Sequence, residues 1–141
     1  MADKKQIGLT ADGGAALAEL MEAKLFNTEM DAYRCGITYA LGMGLDPEAA
    51  PEGGYQTKFN AAGGLDTYQE IRDLIVVLRS NEADRPYATA EKLAELGITA
   101  MAARVAAHES LSEVLAELDF TPEVDELPPE PVEEVDPSDE G

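Results

Sequence analysis

Residues 89–118 read TAEKLAELGITAMAARVAAHESLSEVLAEL, and the fold turns on how this stretch is wound. As an α-helix it gathers Leu93, Leu96, Gly97, Ala100, Arg104, Ala107, Leu111, Leu115 and Leu118 into one stripe. Glu91, Lys92, Glu95, Glu109, Glu113 and Glu117 fall on the opposite side. The spacing predicts a single helix of thirty residues, about 45 Å long, with Gly97 as its one point of interruption. Arg104 sits inside the apolar stripe. Stranding a buried guanidinium costs about 3–5 kcal/mol, so Arg104 has to meet a carboxylate, a row of carbonyls or a ligand phosphate. A structural ion pair, inside the fold or at a subunit contact, is the expected role; a phosphate contact is the alternative.

Toward the amino terminus the pattern changes. Lys5 to Thr10 alternates, with Ile7 and Leu9 to one side and Gln6 and Gly8 to the other. This reads as a short strand or extended arm, too short to stand unpaired. A helix follows over 12–26, with Leu17, Leu20, Met21 and Leu25 inward and Gly13-Gly14 weakening its first turn. Asn27 or Thr28 caps a second helix, with Asp31 in capping-box-like spacing from Thr28. Its inner stripe is Met30, Tyr33, Gly36, Ile37, Ala40 and Leu41, where Gly36 and Ala40 admit another backbone at close range. Gly42-Met43-Gly44 ends it, and a Gly/Pro-rich connection without regular structure runs to about Gly64. Asp66 caps a third helix through Arg79, apolar on nearly all sides from Leu74 to Leu78, and therefore central or covered by a partner chain.

The expected fold class is all-α. A compact helical domain over 1–118 opens with a short extended arm and closes with a long C-terminal helix. Residues 119–141 hold five prolines, ten acids and no base, which cannot bury enough surface to fold, so a disordered tail is expected there.

At 141 residues the chain is one domain by size. It has no run of about eighteen apolar residues, so no membrane span is expected, and Met-Ala-Asp-Lys-Lys leads into no signal peptide. The one cysteine, Cys35, excludes an internal disulfide and suits a reducing cytoplasm. With a single histidine, His108, far from that cysteine in sequence, no metal site is expected.

The net charge of −19 should repel nucleic acid and anionic membranes. The final 23 residues account for ten of the acids, leaving −9 over 1–118. That remainder is poor in lysine, rich in alanine and glycine, and scatters its acids over helix surfaces. Such a composition fits a protein adapted to molar salt, where the screening length falls to about 3 Å. An acidic adaptor from an ordinary cytoplasm is the alternative.

Catalytic and cofactor motifs do not emerge. Gly42-Met43-Gly44 lacks the glycine, lysine and helix start of a phosphate loop. Gly13-Gly14 could hold an anion on backbone amides, but a flexible helix start is the expected role. His108 is expected as a packed, hydrogen-bonded residue and Cys35 as a small helix residue. Paired acids lie on exposed helix faces. Neither an enzyme nor a cofactor is expected.

An extended arm before two capped helices is the outline of a ribbon-helix-helix module, in which arms from two chains pair and their outward side chains enter the DNA major groove. Lys4, Gln6 and Gly8 would be the readers, with the Asn27 and Thr28 amides on a phosphate. The carboxyl half carries a more specific pattern. Phe59-Asn60, the Gly64-Leu65-Asp66 step, an apolar helix and the run from Gly97 to Val105 with Arg104 together resemble the DndE family of DNA sulfur-modification accessory proteins. Arg34 also sits where that family carries an arginine. The resemblance spans about residues 7–115.

It implies a non-enzymatic, cytoplasmic subunit that forms a homo-oligomer, associates with the other phosphorothioation and phage-defence proteins, and binds DNA, nicked duplex included. The bases available for DNA are Lys4, Lys5, Lys24, Arg34 and Lys58, with Gln6, Asn27 and Thr28 as polar contacts. Those bases are few for the basic surface the family uses, and this favours a scaffold role. Two other readings stand beside it: a dimeric ribbon-helix-helix regulator or antitoxin, and an acidic protein-binding adaptor or DNA mimic.

Overall fold

The computed structural model describes residues 3–82 and 84–120. Thr10 opens the first helix, α1 (Ala11–Glu22), its hydroxyl accepting from Gly13 N at 3.2 Å. Thr28, rather than Asn27, does the same for α2 (Glu29–Gly42), accepting from Asp31 N at 3.1 Å. The third helix, α3, spans Glu70–Leu78, and α4 spans Pro86–Ala106 with proline at its first position. A short α5 (Leu111–Leu115) follows. The acidic segment expected as a tail lies, from residue 121 on, outside the described residues.

Helices dominate, but the all-α expectation needs correcting. Strand β1 (Gln6–Leu9) pairs antiparallel with β2 (Gln56–Asn60), a strand inside the segment read as an irregular connection. The partner expected from a second chain is therefore supplied by this one. The register runs Gln6–Asn60, Ile7–Phe59, Gly8–Thr57 and Leu9–Gln56, so Lys58 is the extra residue of a bulge. Gly8 is required at the crossing: a Cβ there would lie 1.6 Å from the Gln56 carbonyl oxygen. That is why a position read as an outward DNA reader is a buried glycine.

The thirty-residue helix is also corrected. It runs straight through Gly97 and stops nine residues later, at Ala106. Glu109 N donates to Arg104 O and His108 N to Val105 O, at 3.1 and 2.9 Å, with His108 left-handed at φ 70°. This is a Schellman ending with histidine in the place usually held by glycine. Ser110 and Glu113 then form a capping box that starts α5 in a new direction. Asp119 N reaches the Gly42 carbonyl at 2.9 Å, tying the end of that turn to the end of α2.

The core lies between α1, α2 and α4, with Tyr33, Leu17, Leu20, Ile37, Leu93, Ile98 and Met101 almost wholly buried. Phe59 of β2 meets the Tyr33 ring edge-on at 5.1 Å. The α3 helix is not central. Ile71, Ile75 and Leu78 face inward, whereas Leu74, Val76 and Val77 face solvent.

Candidate functional site

Most of the residues proposed as DNA contacts are already engaged within the chain. Lys4 pairs with Glu91 and lies over the Tyr55 ring at 5.7 Å. Lys58 meets Glu29 at 3.1 Å, and Gln6 reaches the Asn60 side chain at 3.4 Å. Arg34 donates from Nε to the Leu65 carbonyl at 2.8 Å, and from Nη2 as well. The Thr28 hydroxyl is taken up as a helix cap. Lys5 stands exposed before β1, and Lys24 and Asn27 stand exposed in the connection between α1 and α2.

Arg104 meets carboxylates. Its guanidinium grips Glu117 with two bonds at 2.9 and 2.7 Å, donates to Glu109 at 3.0 and 2.5 Å, and reaches the Tyr39 hydroxyl at 3.2 Å. The side chain is 21 % exposed, so the pair lies at the margin of the fold rather than buried in it. Glu109 and Glu117, assigned by helical spacing to the far side, come round because the chain turns at His108. Glu117 first and Glu109 second hold the guanidinium far above its ordinary value, and Arg104 holds the Glu117 carboxyl below its own.

Glu91 and Glu95 are another correction. Read as solvent-facing, each is only 4 % exposed. Strand β1 and the start of α1 pack on that side of α4 and bring backbone donors that need acceptors. Glu91 accepts from Gly8 N at 2.8 Å. Glu95 accepts from Thr10 N at 3.0 Å and from the Thr10 hydroxyl at 2.6 Å. With the Tyr33 hydroxyl donating to Gly8 O at 2.9 Å, the outer edge of β1 is closed by side chains. Burial, reinforced by Glu91, pushes the Tyr33 hydroxyl well above its ordinary value.

Acids also cap helices from a distance. Asp3 accepts from Tyr87 N and Ala88 N at the start of α4, at 2.7 and 2.9 Å. Asp66, buried, accepts from Ile71 N, Arg72 N and the Tyr87 hydroxyl at 2.9, 3.0 and 2.9 Å. Burial and that bond to Asp66 push the Tyr87 hydroxyl up to about 12. Several acids that read as surplus charge are thus structural acceptors at helix starts. Only the Asp66 cap was visible in the spacing.

His108 is exposed at its turn and not packed as expected. Cys35 is half-buried 3.9 Å from the Met101 sulfur, and burial pushes its thiol up, away from reactivity. Among the described residues, no three of His, Cys, Asp and Glu gather where they could hold a metal ion. No described helix is long and apolar enough to cross a membrane.

One feature has no internal use. The outer face of α3 and the turn before it present Tyr68, 84 % exposed, with Leu74, Val76 and Val77, the last 61 % exposed. Charges of both signs, Arg72 and Asp73, lie 3.4 Å apart on the same exposed side of the helix start. Large apolar side chains left exposed in this number on one short helix and the turn before it are the kind that association surfaces use. Comparison with protein-family models, with characterised proteins and with solved structures finds no match to this chain.

Proposed function

We propose that this chain is a non-enzymatic accessory subunit of a DNA phosphorothioation and phage-defence system, acting by contact with other macromolecules and assembling through α3. The observation that carries the reading is the exposure of four large apolar side chains, Tyr68, Leu74, Val76 and Val77, on α3 and the turn before it. A helix with apolar residues on two faces is suited to lie between its own core and a second copy. The mixed signs of Arg72 and Asp73 on α3 lessen there the repulsion that the net charge of −19 brings elsewhere.

The residues behind the DndE resemblance contribute framework: Arg34 holds the Leu65 carbonyl, Asp66 caps α3, and Gly97 receives the α2 backbone. Lys4, Lys58 and Arg34 are tied to internal acceptors, which favours protein contact over direct DNA binding. The test is co-purification of the tagged full chain with the cysteine desulfurase and the ATP-pyrophosphatase-like sulfur transferase of its own genome, alongside a shift assay on intact and nicked duplex. Capture of either protein, with at most weak, nick-preferring DNA binding, is expected. Failure to capture both would overturn the assignment, and tight sequence-specific binding would favour the regulator instead.

A further inference from the structure

A second surface lies across the molecule's middle, where the start of α1 and the 45–51 segment flank α4. Between them runs an open groove of about 480 Å³ with an apolar floor of Leu45, Ala49, Pro51, Leu96, Ala100 and Ala103. Leu96, Ala100 and Ala103 are spaced along α4 as one face. Periodicity assigns Leu96 and Ala100 to the inner stripe, yet both remain half-buried. The small side chains of Ala49, Ala100 and Ala103 keep the floor shallow, which suits a helix lying in it.

Its polar lining is acidic. Asp12 and Asp46 stand exposed in it beside Glu95, and no lysine or arginine lines it. Asp46 uses one oxygen to cap Glu48 N at 3.0 Å, and Glu95 is occupied by Thr10. Asp12 and the second oxygen of Asp46 are left to face an occupant. Charge then selects among the candidates. This chain's own last 23 residues carry ten acids and no base, and a second copy carries the same −19, so both would meet like charge. We infer that the groove receives a basic amphipathic helix of a partner protein, its apolar side on Leu45, Leu96 and Ala100 and its lysines or arginines against Asp12 and Asp46.

This deepens the reading of the chain as a protein-contacting subunit, and its test is separable from that reading. The probe is a labelled helical peptide of about eighteen residues, about 27 Å long, with leucines at i, i+3, i+4 and i+7 and lysines elsewhere. Binding to the full-length protein is read by fluorescence anisotropy and mapped by amide chemical shifts. The lysine peptide is expected to bind, and a peptide with glutamate in place of lysine is not. Asp12→Asn with Asp46→Asn should weaken binding about tenfold, while Glu19→Gln with Glu22→Gln, the same charge removed from the far part of α1, should leave it unchanged. Ala100→Trp fills the floor without altering charge and should abolish binding; if it lowers helicity, Ala103→Trp at an exposed position replaces it. Leu74→Ser with Val77→Ser on α3 should leave peptide binding intact. Undiminished binding to a correctly folded tryptophan variant, or shifts centred on α3 instead of Leu45 and Leu96, would overturn the proposal.

Discussion

Gly36 and Gly97 face each other where α2 crosses α4, with no side chain between the two backbones. A Cβ on Gly97 would fall 1.9 Å from the Gly36 carbonyl oxygen, and one on Gly36 would fall 2.6 Å from Ile98 Cγ1. The obstacle to Gly97 is main chain, which cannot rotate aside. Gly97→Ala should therefore force the helices apart and cost about 3 kcal/mol, despite alanine's better helix propensity. Urea unfolding would show it; an unchanged midpoint would mean that the two helices are not so closely packed.

Glu91 is the acceptor on which the outer edge of β1 depends. Glu91→Ala leaves the buried Gly8 amide unsatisfied and Lys4 without its partner, a loss of about 2–3 kcal/mol. Glu91→Gln keeps an acceptor oxygen and should lose less. Denaturant midpoints rank the two, and equal losses would show that charge, not acceptance, is what matters there.

Acid should loosen the carboxyl end of the fold through Glu117. Arg104 holds this carboxyl below its ordinary 4.5, chiefly by hydrogen bonding. The stability from that depression is complete above about 4.5 and is lost as pH falls through the folded value. As pH falls below about 4.5, Glu117→Gln should therefore lose less stability than the wild type, having no such proton to take up. Parallel midpoint-against-pH curves for the two proteins would remove Glu117 from the account.

Salt should matter on a larger scale. The acids on exposed helix faces repel one another at low ionic strength and are screened at about 3 Å in molar salt. Far-UV circular dichroism and melting from low to molar potassium chloride should show helicity and melting temperature rising together. Full helicity and an unchanged melt at low salt would contradict the reading of this composition as a high-salt adaptation.

Much of the helical frame was legible, because Thr28 and Asp66 announce their helices and the 3.6-residue period marks the inner faces of α1 and α2; Thr10, which caps α1, read only as the end of the extended arm. Strand β2 was not. Gln56 to Asn60 lies on an exposed edge with only Phe59 partly covered, so it carries no apolar alternation. The break before α5 lacked glycine or proline, since His108 takes the left-handed turn. Its one signal was Ser110 with Glu113, a capping box inside what read as continuous helix.

Among the candidate functional residues, Arg104 was legible as needing a carboxylate, a row of carbonyls or a phosphate; that carboxylates fill the role, and which ones, depended on the turn at His108. The burial of Glu91 and Glu95 could not be read from α4 alone, because it is imposed by strand and loop amides that pack there from distant sequence. The apolar excess of Leu74 to Leu78 was visible; that part of it faces solvent was a matter of tertiary placement.

Light scattering on the full-length protein in molar potassium chloride, wild type beside Leu74→Ser with Val77→Ser, tests association through α3 most directly. The wild type should give a mass that is a multiple of 15.0 kDa and the double variant a single 15.0 kDa chain with unchanged helicity. A wild type that remains one chain at every concentration would contradict it.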